Sequence, residues 1–132
     1  MAKTLAKVFG VVFLLVGALG FVSNPIVGMM GMFHTNMAHN LVHLLIGVVL
    51  LLMAKTEEKA AMWLKIVGVV YLLVAVLGFM MTTAGGTANL LGLVEVNGAD
   101  NWLHLVLGVV LFFAGFSGKK NAMPMGGGMG QM

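Results

Sequence analysis

The chain has 132 residues, 61% of them hydrophobic and only 8% charged, with a formal net charge of +3. Soluble domains carry roughly a quarter charged residues, and a soluble fold of this length lacks the interior to hide so much apolar surface, so the solvent this composition fits is a bilayer. The absence of Cys excludes disulfides, thiolate metal sites and Cys nucleophiles, and seven Lys without an Arg, sparse and not interleaved with aromatic residues, exclude a nucleic-acid surface.

Four apolar stretches follow in chain order, at about Leu5–Val22, Met37–Ala54, Ala60–Met81 and Asn101–Phe116. Each approaches the roughly 20 residues that a helix needs to cross the hydrocarbon. The second and fourth reach full length if Asn36 and Asn97 are their N-caps, a role that suits Asn. The first resembles a signal peptide, with Lys3 and Lys7 before an apolar core and Ala18-Leu19-Gly20 where cleavage would fall. The same pattern returns inside the chain, so the segment is expected to be a retained span.

Orientation follows from the lysines. Lys3, Lys7, Lys55, Lys59, Lys65, Lys119 and Lys120 all fall on one side of a four-span chain, and the loops from Ser23 to Asn36 and from Thr82 to Asp100 have none. The positive-inside rule then places both termini and the Lys55–Lys59 turn in the cytoplasm. Glu95 and Asp100 are the only acids of the opposite face.

The chain also repeats itself. Residues Phe9 to Phe21 align without gaps on Val67 to Phe79, with nine of thirteen positions identical. Asn40, His43, Leu44 and Gly47 align on Asn101, His104, Leu105 and Gly108, and Asn36 and Ala38 align on Asn97 and Ala99. Duplication is the simplest reading. Repeat one covers about 5–54 and repeat two about 63–115. Two spans per repeat keep the copies in one orientation, related by a pseudo-two-fold axis along the membrane normal. His43 and His104 then lie at equal depth, about two turns into their helices. Small residues recur every seven positions: Gly10 and Gly17, Gly47 and Ala54, Gly68 and Ala75, Gly108 and Gly115. Helices in lipid pack where small side chains let backbones approach, and a seven-residue seam favours shallow left-handed crossings. The expected fold is an all-α integral membrane protein: a tight four-transmembrane-helix bundle built from two parallel-oriented two-helix repeats, without a wide pore. It forms one domain over residues 1–118, followed by a Gly/Met-rich cytoplasmic tail at 119–132.

Asn40, His43, Leu44 and Gly47, doubled as Asn101, His104, Leu105 and Gly108, together with Gly20-Phe21 at the end of the first span, resemble a family of small four-span bacterial membrane proteins known only as a domain of unknown function. The likeness covers roughly residues 5–118. It implies a bacterial inner-membrane protein and supplies no activity.

Any chemistry has to sit in the polar residues of the spans and outer loops. Asn40 and His43 share one helix face, as do Asn101 and His104. The simplest role for them is a structural polar motif, in which neutral imidazoles and amides hydrogen-bond between helices or to the outer-loop backbone, with no haem and no stoichiometric metal. The alternative is ligation, with His43 and His104 as axial ligands of a haem or as part of a metal site. For copper the candidates are His34, His39, His43 and His104 with Met32 and Met37, because imidazole and thioether donors suit that metal. Glu95 and Asp100 read as wetted loop residues, Lys55 to Lys59 as a solvated turn, and Trp63 and Trp102 as interfacial anchors. No catalytic motif is present and no carboxylate lies deep in a span, so an enzyme is not expected. The resulting expectation is a non-enzymatic membrane protein whose partners are the bilayer and other membrane proteins or itself, with copper or haem binding at the extracytoplasmic cluster as the alternative.

Overall fold

A computed structural model describes residues 1–83 and 85–117. The chain is mostly helical, with α1 (Ala2–Leu19), α2 (Met37–Met53), α3 (Glu57–Met81) and α4 (Gly98–Ala114). Two of these, α1 and α3, are long and apolar enough to cross a membrane; α2 and α4 have 17 residues each. Between α3 and α4 lies an antiparallel hairpin, β1 (Thr87–Leu90) and β2 (Val94–Asn97), with Leu90 opposite Val94. The expected tail at 119–132, with Lys119 and Lys120, lies outside the described residues.

Local chemistry explains the helix limits. Asn36 and Asn97 are the N-caps of α2 and α4, their side chains accepting from His39 N and Asp100 N. Each cap meets backbone donors that the helix itself leaves unpaired. Thr56 caps α3 in the same way, so α3 begins at Glu57, three residues earlier than hydropathy suggests. Glu57 also accepts from the Met1 ammonium at 2.8 Å, tying the starts of α1 and α3 together. The turn expected at Lys55–Lys59 therefore reaches only to the Thr56 cap. The first helix ends at Leu19 rather than Val22 because Asn24 takes over the chain there. Its carboxamide donates to Leu19 O, Val22 O and Val27 O and accepts from Ile26 N and Val27 N.

The hairpin was not expected from the sequence. Its turn runs through Leu91 at φ 55° and Gly92 at φ 71°. Three residues, Leu91 to Leu93, join the paired strands, and a leucine in the left-handed region, where Gly, Asn or Asp is usual, gives no signal for a turn.

The tightest packing is between α1 and α2 and between α3 and α4. Glycine makes it possible. A Cβ on Gly10 would meet Gly47 O and Leu51, and one on Gly68 would meet the Phe112 backbone and Gly108 O. Gly17 packs on Asn40 O and Leu44, Gly47 on Gly10 O and Leu14, Gly108 on Leu72, and Gly115 on Ala61 O and Lys65. The interior has two storeys. Toward the start of α1 it is apolar, with Ala2, Ala6, Leu50, Ala60, Leu64 and Leu111 buried. Beyond Phe13 and Tyr71 it turns polar: Thr35, His39, Asn40, His43, Asp100, Asn101 and His104 are all buried. The outward faces are the reverse, with Leu15, Leu45, Leu73 and Phe113 among many exposed large apolar side chains.

Candidate metal centre

Three imidazoles meet in the polar storey. His39 and His43 come from the first two turns of α2 and His104 from the second turn of α4. One ligand-capable atom from each lies within 4.8 Å of the others, and all three residues are buried. The ring centroids are 4.6 Å apart for His39–His43, 5.5 Å for His39–His104 and 6.4 Å for His43–His104. Among the described residues, no carboxylate joins the three at that spacing.

The three rings are hydrogen-bonded unequally. His39 Nδ1 is 2.7 Å from Glu95 O. A carbonyl only accepts, so the proton sits on Nδ1 and the Nε2 lone pair is left available. A metal-binding histidine is commonly oriented this way, by a backbone carbonyl on its other nitrogen. His43 Nδ1 and His104 Nδ1 are buried and have no hydrogen-bond partner among the described residues. The asparagines do not supply one. Asn40 packs against Gly20 and Asn101 against Gly78, at the ends of the preceding helices, and Asn101 Nδ2 donates to Thr82 Oγ1 at 2.8 Å. The shared helix stripe holds, but each amide is turned toward its neighbouring helix and away from the imidazole a turn later.

Aromatic rings close the site from the apolar storey. Tyr71 stacks on His104 at 5.1 Å and 12°, Phe13 lies 5.9 Å from His43, and Phe13 and Tyr71 are 5.4 Å apart. Two crevices flank the cluster. One, of about 140 Å³, runs between α2 and α3 past Val42, Ile46, Val70 and Val74. The other, of about 240 Å³, runs between α1 and α4 past Val12, Val16, Leu103 and Leu107. In the sequence alignment Val12 and Val16 match Val70 and Val74, and Val42 and Ile46 match Leu103 and Leu107. The crevice walls thus correspond pair by pair. They differ where Tyr71 and His39 line the first and Phe13 and Asp100 the second.

The remaining sequence candidates fall elsewhere. His34 Nε2 bonds Glu95 Oε1 at 2.9 Å, on the rim of the site. Met32 and Met37 are exposed and turn outward. Asp100 corrects the wetted-loop expectation, since it is 2% exposed and forms a capping box with Asn97. Glu95 is likewise a fixed residue, holding two histidines through its carboxylate and its carbonyl. Trp102 is largely exposed, with its ring 5.0 Å from Phe79, while Trp63 packs on the apolar core. Sequence reasoning missed Thr35, Asn24 and the ring stack on Tyr71. The Phe13/Tyr71 mismatch in the aligned repeats was the one available signal for the last.

Residues 3–117 match the family described as a domain of unknown function, DUF4383. No curated protein and no solved structure matches the chain.

Proposed function

The chain belongs to the DUF4383 family, a domain of unknown function, and we propose that it is a non-enzymatic integral membrane protein that holds a transition-metal ion on His39, His43 and His104. One observation carries this reading: three buried imidazoles converge within 4.8 Å. Around an ion with bonds of ~2.0 Å, three nitrogens in a plane stand about 3.5 Å apart, so small ring rotations would close the set. Unpaired buried polar atoms are costly, and an ion satisfies several at once. Haem is disfavoured because the His39 ring lies within 5.5 Å of both other rings and fills the space a macrocycle needs.

In this reading all four helices span the bilayer as one bundle of two duplicated halves. The apolar outward faces of α1 to α4 support it, as do the corresponding contacts Gly10–Gly47 and Gly68–Gly108. At 17 residues, α2 and α4 are about 25 Å long, and their capped starts and the hairpin complete the crossing. The lysine distribution supports a bacterial inner-membrane orientation with both termini cytoplasmic and the histidines near the opposite face. Non-enzymatic action is supported by a sequence that has no Cys and no recognised catalytic motif.

The test is metal analysis of the purified protein. One equivalent of a transition metal, lost in His43→Ala and His104→Ala but kept in His34→Ala, is the expected result. Metal-free protein that takes up no transition-metal ion would overturn it. The second reading, a packing module for other membrane proteins or for itself, is supported by the exposed apolar faces. The glycine seams do not favour it, because the helices of this chain already occupy them.

A further inference from the structure

We infer that the ion held by His39, His43 and His104 is monovalent copper. The inference rests on the metal-binding reading above and adds the identity of the ion. Three features of the site lead to it.

The first is ligand count. Three nitrogens converge, and among the described residues no further His, Asp or Glu joins them. Zinc held by three protein ligands keeps a water in its fourth position, for which the mainly apolar crevices here offer little, whereas a d10 monovalent ion is satisfied by three donors. Each of the two acids at this end has one oxygen bound elsewhere. Glu95 Oε1 is bound to His34 Nε2 at 2.9 Å, and Asp100 Oδ2 accepts from Asn97 N at 3.0 Å.

The second is charge. All three donors are imidazoles, which as ligands bring no negative charge, so the buried site keeps the full charge of its ion. The crevices beside it are walled mainly by valine, leucine, isoleucine and aromatic rings, with Thr35 and Asp100 on the α1–α4 side, where the Asp100 carboxylate accepts from Asn97 N at 3.0 Å. The cost of moving an ion into such surroundings grows with the square of its charge, so a divalent ion pays about four times what a monovalent ion does.

The third is the character of the donors at the same end of the molecule. Met29, Met30 and Met32 lie in the loop before α2, at the histidine end of the molecule, and are exposed by 68%, 89% and 64%. Thioethers select Cu(I) over the divalent ions, and here they stand outside the site.

The experiment is a competition on the full-length protein in detergent, without oxygen. Cu(I) is delivered from a chromophoric Cu(I) chelator, with and without excess Zn(II), and X-ray absorption reads the coordination of the bound ion. We expect one equivalent of Cu(I) in a three-coordinate nitrogen environment, undisturbed by Zn(II). His43→Gln and His104→Asn, which keep a buried polar group, should each lower the Cu(I) affinity at least about 100-fold while helical content is unchanged. The combined Met29→Leu, Met30→Leu and Met32→Leu variant should leave that affinity within about threefold. Zn(II) displacing Cu(I), with binding still lost in the histidine variants, would overturn the identity of the ion and leave the metal site standing. Cu(I) lost in the methionine variant but not in the histidine variants would overturn this inference by placing copper on the loop. Failure of every ion to bind would overturn both readings.

Discussion

Replacing Gly68 by Ala tests the contact that sets His104 against Tyr71. A Cβ there would lie 2.5 Å from Phe112 N, 2.8 Å from Phe112 Cα and 2.9 Å from Gly108 O. All three obstacles are backbone, so no side chain can swing aside. Ordinary contact begins near 3.4 Å, and α4 must therefore retreat by about 0.9 Å. A gap of that size forfeits a quarter to a half of the dispersion well at each atom pair it opens. Overpacking of this kind costs about 1–3 kcal/mol, and with only backbone in the way the upper part of that range applies. Alanine returns about 1 kcal/mol of helix propensity, which leaves a net loss of about 2 kcal/mol. Gly98→Ala is the control, because a Cβ there meets nothing within 4 Å; it should be neutral or stabilising by up to about 1 kcal/mol. Equilibrium unfolding in mixed micelles, followed by helical circular dichroism, measures both. A Gly68→Ala protein as stable as the parent would refute the close approach of α3 and α4.

Asn36→Ala should cost about 1–2 kcal/mol. It removes the acceptor of His39 N and Glu95 N and the donor to Leu93 O, and amide exchange in Val94–Asn97 should speed up with it; unchanged exchange would mean that Asn36 caps α2 without holding the hairpin. For topology, single cysteines in this Cys-free chain should be labelled from outside the cell at position 34 and not at position 59, and the reverse pattern would invert the orientation.

Much of the helical framework was legible because lipid-compatible helices announce themselves by composition and because Asn36 and Asn97 are unambiguous caps. The seven-residue glycine spacing likewise pointed to positions where backbones meet. What escaped was what depends on direction rather than on spacing. Asn40 and His43 do share a stripe, but their spacing cannot tell whether the amide turns toward its own imidazole or toward Gly20 on α1. Asp100 looked solvated because it is charged and follows a loop, yet the capping box with Asn97 and the turn of α4 draw it inside. The hairpin escaped because Leu91 in the left-handed region violates the residue preference on which hairpin recognition depends.

On the duplication proposed above, the site owes its character to the places where the two halves of the chain disagree. An exact duplicate of the first half would place a histidine at position 100 and a phenylalanine at position 71, giving four imidazoles in two equivalent pairs under two equal crevices. This chain has Asp100 and Tyr71 instead. Asp100 spends its carboxylate on Asn97 N, capping α4, and leaves its half with one imidazole. His39, at the matching position, is free to turn into the middle because Asn36 caps α2 through the side chain of Asn36 alone, and because the carbonyl of Glu95, borrowed from the other half, orients the ring. Tyr71, from the same half, supplies a flat ring stacked at 12° on His104, steadying the imidazole that has no second imidazole in its own half. Each departure from symmetry thus removes a donor from one half or steadies one in the other. The result is a single three-histidine centre on the boundary between the halves, where loosening either half would break it.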